Sequence, residues 1–219
     1  MRFQSRDLEE EISSICQEIQ RCEQHLDKLM QINSLNDSFY IWYLGPYATI
    51  NNFRLGNTLI KPIEPNEINA ALGETALAVY LVATRCQVEL KTYAILPMGS
   101  FPKVIKLDDR NKPIFPLYID QTSWTLFPKR NFNCALAGFM SCIGELGDFV
   151  ASYDPTMTMP YKINIPDSKI GDVSFVYGLD DEQWTRSLKF MLSNVKWIIA
   201  WYTKHGKTLS VTTSATSMI

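Results

Sequence analysis

Three long stretches of this chain carry apolar residues at helical spacing, and each follows short runs of β-branched and aromatic residues. This order constrains the fold more than any other feature. In "PNEINAALGETALAVYLVATRCQV" (65–88), Ile68, Leu72, Val79, Val82 and Cys86 recur at helical spacing, while Ala70, Ala71, Ala76 and Ala83 fill the remaining faces. A helix that is apolar all round belongs inside a core. Phe132, Leu136, Phe139, Ile143, Leu146 and Val150 mark a second helix. Trp184, Leu188, Met191, Val195, Ile198 and Tyr202 mark a third, with Asp180 placed to cap it.

The runs between the helices read as strands. "SFYIWYLG" (38–45) and "YATINNFRLGN" (47–57) form a hairpin-like pair across Gly45-Pro46. "LKTYAILPMG", "KVIKL" and "PIFPLYI" precede the second helix, and "YKINIP" and "DVSFVYG" precede the third. The expected fold is α/β: three strand-strand-helix units in one globular domain, with helices packed on antiparallel strands. The units share no clear sequence identity, so the repeat is inferred from pattern alone. With 219 residues, 46% of them hydrophobic, the chain can bury one core and carry a helical extension.

That extension comes first. Leu8, Ile12, Ile15, Ile19, Cys22, Leu26 and Leu29 alternate at steps of four and three, the seam of a coiled coil, and no glycine or proline interrupts it. The alternative is an amphipathic helix packed on its own domain. Residues 1–33 are read as the end of a coiled coil, 38–204 as the globular domain, and the Ser/Thr-rich 207–219 as a disordered tail.

A net charge of −2 and a pI near 5.7 argue against a nucleic-acid binder. The longest uninterrupted apolar runs fall short of the ~20 residues that span a bilayer, and "MRFQSRDLEEE" lacks the apolar run of a signal peptide, so cytosolic residence is expected. The five cysteines show no metal-ligand spacing and read as reduced, mostly buried thiols. No nucleophile motif, P-loop or dinucleotide fingerprint occurs, and neither histidine sits in a motif that would activate a nucleophile. Neither enzyme activity nor a cofactor is expected; a cysteine hydrolase using Cys134 or Cys142 is the remote enzymatic alternative.

Two features are left over. "SWTLFPKRNF" (123–132) places Trp124, Leu126 and Phe127 beside Pro128, Lys129 and Arg130 where local signals indicate a loop. Phe190, Trp197 and Trp201 add a second apolar stripe to the third helix, buried by neighbouring elements or turned to a partner.

"TINNFRLG" (49–56), "PNEINAALG" (65–73) and "EQWTRSLKFMLSNVKWIIAW" (182–201) closely resemble, in order and spacing, the carboxy-terminal domain of the Beclin family. The resemblance runs from the coiled coil to Tyr202, and the Ser/Thr tail and divergence resemble a yeast-type member. It implies three β-sheet–α-helix repeats, with no catalytic activity. It also implies a membrane-associating scaffold in a class III phosphatidylinositol 3-kinase complex serving autophagy and vacuolar or endosomal protein sorting. The implied partners are the catalytic subunit, its regulatory protein-kinase-like subunit, and a coiled-coil subunit of the UVRAG or Barkor type that meets Leu8, Ile12, Ile15, Ile19, Leu26 and Leu29. The implied location is cytoplasmic, peripheral on endosomal, vacuolar and pre-autophagosomal membranes. The family's amino-terminal region is not part of the resemblance.

Animal members insert a loop of consecutive aromatic residues into membranes; here the equivalent place reads Trp124-Thr125-Leu126-Phe127-Pro128, similar in kind and different in order. The implied membrane-binding residues are Trp124, Leu126, Phe127, Lys129 and Arg130, on an anionic membrane surface. The alternative is a purely protein-binding adaptor that docks partners through residues 123–130 and the Phe190/Trp197/Trp201 stripe.

Overall fold

Each apolar helical pattern becomes a helix, and each is preceded by a three-stranded antiparallel meander. The computed structural model describes residue 12 and residues 15–22, 34–120 and 128–216. The chain divides into two compact units, Met1–Ser34 and Leu35–Ile219. In the first, residues 15–22 form a helix, α1. The second opens on a short helix, α2 (Ser34–Ser38). Sheet 1 then contains β1 (Ile41–Leu44), β2 (Tyr47–Ile50) and β3 (Phe53–Leu55), and is followed by α3 (Pro65–Arg85). Sheet 2 contains β4 (Tyr93–Leu96), β5 (Lys103–Lys106) and β6 (Ile114–Pro116), followed by α4 (Pro128–Tyr153). Sheet 3 contains β7 (Ile163–Asn164), β8 (Lys169–Ile170) and β9 (Val173–Ser174), followed by α5 (Asp181–Thr216).

The expected α/β class and the three units hold, and the structure adds a strand to the first and third. "YATINNFRLGN" is two strands because Asn51 and Asn52, at φ 49° and 68°, turn the chain between Ile50 and Phe53. Asparagine tolerates this left-handed conformation, which a β-branched residue would resist. The Asn51 side chain then joins the turn to its surroundings: Oδ1 accepts from Tyr40 N, and Nδ2 donates to Ser38 O and Glu74 Oε2, all at 2.9 Å. In sheet 3, β8 lies between Ser168 (φ 52°) and Gly171 (φ 59°), too short for a period of two to reveal.

The helical faces read from the sequence form the core. All five marked residues of α3, all six of α4 and the first five of α5 are buried, while Tyr202 is half-buried. Asp180 caps α5 as expected, its Oδ1 accepting from Glu182 N at 2.9 Å and Gln183 N at 3.1 Å. Two helices outrun their patterns. α4 begins at Pro128, since proline suits a first helical position, so Lys129 and Arg130 lie in its first turn rather than in a loop. α5 continues to Thr216, into the segment read as a tail; beyond Gly206, Ser, Thr and Val each oppose a helix by only a few tenths of a kcal/mol to about 0.7. The stretch Lys129–Tyr153 is long and apolar enough to cross a membrane, but its apolar face is packed inside this domain.

The units are locked together by polar side chains that each grip one backbone residue at two points. In α3, Asn69 accepts from Ile119 N (2.7 Å) and donates to Ile119 O (3.0 Å), holding the exit from sheet 2. In α4, Asn133 accepts from Tyr177 N (2.8 Å) and donates to Tyr177 O (3.2 Å), holding the exit from sheet 3. In α5, Thr185 accepts from Asn57 N (2.8 Å) and donates to Asn57 O, holding the exit from sheet 1. Thus α3 grips the second strand-helix repeat, α4 the third, and α5 the first. Gly56 makes the last grip feasible: at φ 130° it passes so close that a Cβ there would sit 2.6 Å from Thr185 Cγ2.

An ionic grip reinforces sheet 1. Arg54 meets Glu67 through Nε and Nη2 at 2.7 Å each, and Arg54 N donates to the same carboxylate at 2.9 Å. The guanidinium hydrogen bonds hold the Glu67 carboxyl below its ordinary value. A depressed carboxyl stabilises the fold fully above its unfolded value and loses that contribution as pH falls through the folded one. Asn69 has no such dependence. Asn69→Ala is expected to cost about 1–3 kcal/mol at every pH, because it strands the backbone groups of Ile119. Glu67→Gln is expected to be destabilising near neutrality and to converge on wild type toward about pH 2, as urea midpoints across that range would show.

Candidate interaction surfaces

The described residues marked for the coiled-coil seam, Ile12 and those on α1, stand in the open. Ile12, Ile15 and Ile19 are each more than half exposed and Cys22 is exposed, an apolar line of the kind a partner helix covers. Leu8, Leu26 and Leu29 lie outside the described residues.

At the amino-terminal end of α4, Lys129 and Arg130 are exposed in the first turn; Trp124, Leu126 and Phe127 lie outside the described residues. Both flanks of that segment are fixed. Upstream, Leu117 N bonds to Pro102 O at 2.9 Å and Ile119 is gripped by Asn69. Downstream, buried Phe132 packs edge-on against Tyr177 and Trp184, with ring centres 5.3 and 6.4 Å away. The connection from β3 to α3 and the approach to α5 expose large apolar side chains: Leu59 is 88% exposed, Ile60 86% and Leu179 77%. Leu59, Leu179 and Lys129 line one cleft, bordered by Asp180, Asp181 and Glu182. Sequence reasoning missed Leu59, Ile60 and Leu179, although Leu59-Ile60 between Asn57 and Pro62 is the same anomaly as residues 123–130: apolar side chains among turn formers.

The second stripe of α5 is a core feature. Phe190 is 9% exposed and stacks on Tyr161 with ring centres 3.8 Å apart; Trp201 is 1% exposed, among Phe149, Tyr153 and His205. Trp197 packs against the same core. The adaptor alternative therefore loses the stripe as a continuous docking face, with only Phe190 reaching the wall of a surface cleft. Tyr40, Trp42, Tyr43 and Leu44, in and beside β1, are exposed instead.

Residues 29–204 match the family model of the Apg6 BARA domain. Beclin-1 of Danio rerio is 34% identical over 206 residues, covering 90% of this chain and 46% of the relative. Beclin-1-like protein B of Dictyostelium discoideum is 36% identical over 197 residues (86% of this chain, 22% of the relative), and the Beclin-1-like protein of Arabidopsis thaliana 31% over 228 (96% and 42%).

The chain belongs to the Beclin family.

It contains the family's autophagy-related BARA domain and spans under half the length of these relatives. The three strings that resemble Beclin are, in this BARA domain, the strings that hold the fold. "TINNFRLG" contains the Asn51–Asn52 turn, Arg54 and Gly56; "PNEINAALG" contains Glu67 and Asn69; "EQWTRSLKFMLSNVKWIIAW" contains Thr185 and the fully buried Trp184. "PNEINAALG" ends on Gly73, where a Cβ would sit 2.0 Å from the Gly99 carbonyl oxygen.

Of the two thiols named for the hydrolase alternative, Cys142 does not favour it. Cys142 is fully buried in α4, and burial pushes its thiol up to about 12; burial likewise raises Cys86 to about 11. A thiolate nucleophile at neutral pH needs the opposite shift. A maleimide reagent on the native protein at neutral pH is expected to modify exposed Cys16 and Cys22 first and to reach Cys86 and Cys142 only after denaturation. Rapid native labelling of Cys142, read by peptide mass spectrometry, would contradict this.

Proposed function

We propose that this BARA domain is a non-catalytic, membrane-associating scaffold within a class III phosphatidylinositol 3-kinase complex that serves autophagy and vacuolar or endosomal sorting. It sits peripherally on the cytoplasmic side of endosomal, vacuolar and pre-autophagosomal membranes. Its partners are the lipid-kinase catalytic subunit, the protein-kinase-like regulatory subunit and a second coiled-coil subunit on the seam Leu8, Ile12, Ile15, Ile19, Leu26 and Leu29. The observation that carries the membrane reading is the exposure of Leu59 and Leu179 on one cleft with Lys129, in the first turn of α4, the helix that directly follows Trp124, Leu126 and Phe127 in the chain.

The energetics favour weak, shared binding. Each large apolar side chain entering a bilayer contributes ~1.5–3 kcal/mol, set against the cost of association. Lys129 and Arg130 add ~1 kcal/mol apiece near anionic lipid, and Asp180, Asp181 and Glu182, on the border of the same cleft, offset part of that. Apolar insertion is therefore the main term. Useful affinity comes when other subunits hold the complex on the membrane, so that residues 123–130 act at high effective concentration.

The test is the variant Trp124→Asp/Leu126→Asp/Phe127→Asp, floated with anionic liposomes after its melting curve is shown to match wild type. Loss of most of the floated fraction is the expected result. Unaltered flotation would remove residues 123–130 from the membrane and favour the adaptor reading.

A further inference from the structure

From Gln183 to its last residue the chain has no aspartate or glutamate, while Arg186, Lys189, Lys196, Lys204 and Lys207 all carry positive charge. In a chain of net charge −2 this is a local excess of one sign. Arg186, Lys189, Ser193 and Lys196 follow at steps of three, four and three, so they lie along one side of α5.

Exposed rings of β1 adjoin this side. Lys189 Nζ lies 5.3 Å from the centre of the Tyr43 ring, and Lys196 Nζ lies 5.4 and 5.6 Å from Trp42 and Tyr43. Tyr43 Oη bonds to Ser193 Oγ at 2.8 Å, which holds that ring against α5, and Lys196 Nζ donates to Ile41 O at 3.1 Å, which fixes its ammonium beside the rings. Beyond Lys189 the surface dips into a cleft of about 720 Å³ lined by Pro46, Ile60, Tyr161 and Phe190, with Lys61 and Arg186 on its border. Glu182 also lines it, and Asp172 pairs with Arg186 at 3.3 Å. Among the described residues Lys61, Lys189 and Lys196 have no carboxylate partner.

We infer that this strip docks an acidic, amphipathic segment of a partner protein, with carboxylates on Lys189 and Lys196, an apolar face on Trp42 and Tyr43, and one large apolar side chain in the cleft. Its aromatic side chains are of the kind enriched at interface centres, and its lysines supply the charge that an acidic segment complements. A bilayer follows convex, projecting apolar tips; it does not enter a concave cleft floored by stacked rings, whereas a side chain does. The docking is separate from residues 123–130 and stands whether or not those residues meet lipid. Chain connectivity gives it a natural place in an assembly, because Tyr40 follows the last seam residue, Leu29, by a short segment.

The experiment uses the full chain and a fluorescein-labelled amphipathic peptide with glutamates along one face and phenylalanines bordering it, read by anisotropy. Its counterpart carries lysines in place of the glutamates. The glutamate peptide is expected to bind, to weaken about tenfold on Lys189→Glu/Lys196→Glu, and to weaken comparably on Trp42→Ala. The lysine peptide is expected to bind the charge-reversed chain better than wild type. Because Lys196 also bonds to the Ile41 carbonyl, Lys189→Glu alone is measured too, and all variants are compared by melting curve. No binding of the glutamate peptide, or binding indifferent to charge reversal, would overturn the inference. So would the finding that only phosphatidylserine vesicles, and not the peptide, lose affinity for the reversed chain.

Discussion

Three two-point grips hold this domain in one piece. Asn69 on Ile119, Asn133 on Tyr177 and Thr185 on Asn57 each replace a strand partner for one backbone residue at the exit of a sheet. The order is cyclic, so the first and last units are joined as the consecutive ones are. Small sheets of three short strands are marginal when isolated; here each leans on its own helix and is held at its exit by another. Entries are tied as well: Glu145 accepts from Lys91 N and Thr92 N ahead of β4, and Asn194 both accepts from and donates to Tyr161 ahead of β7.

That arrangement accounts for much of what identifies the family. The strings shared with Beclin contain the Asn51–Asn52 turn, the close-approach glycines Gly56 and Gly73, the Arg54–Glu67 pair, and Asn69 and Thr185, the gripping side chains of two of the three grips. Exposed Tyr40, Trp42, Tyr43, Leu44, Leu59, Ile60 and Leu179 lie outside those strings, whereas the basic side of α5 lies within the third of them. A rigid frame with fixed connections suits such surfaces, because side chains on held segments lose less freedom on binding.

How much was legible follows from the same physics. Helical period exposed the core faces of α3, α4 and α5 almost residue by residue, since each buries a wide apolar stripe. Strands of two to four residues leave too little alternation to read, and the Asn51–Asn52 turn inside "TINNFRLG" passed as continuous strand. The grips were invisible because a lone Asn or Thr near a helix start looks like a solvated polar residue; only its burial against a distant backbone reveals the role. Residues 123–130 drew attention because apolar side chains stood among loop signals. The Phe190/Trp197/Trp201 stripe reads in the sequence as buried or turned to a partner, and only the structure shows that Tyr161 covers Phe190 while Phe149 and Tyr153 cover Trp201.

If the cyclic grips make the three units one cooperative structure, the amide protons they hold should exchange only when the whole domain unfolds. Native-state hydrogen exchange at Asn57, Ile119 and Tyr177, followed in low concentrations of urea, measures this directly. A closed ring predicts that all three amides share one opening free energy and one urea dependence, equal to those of the core amides of α4. Exchange at Ile119 through a smaller, urea-insensitive opening, with α4 still protected, would show that unit two is not held by unit one and would contradict the closed ring.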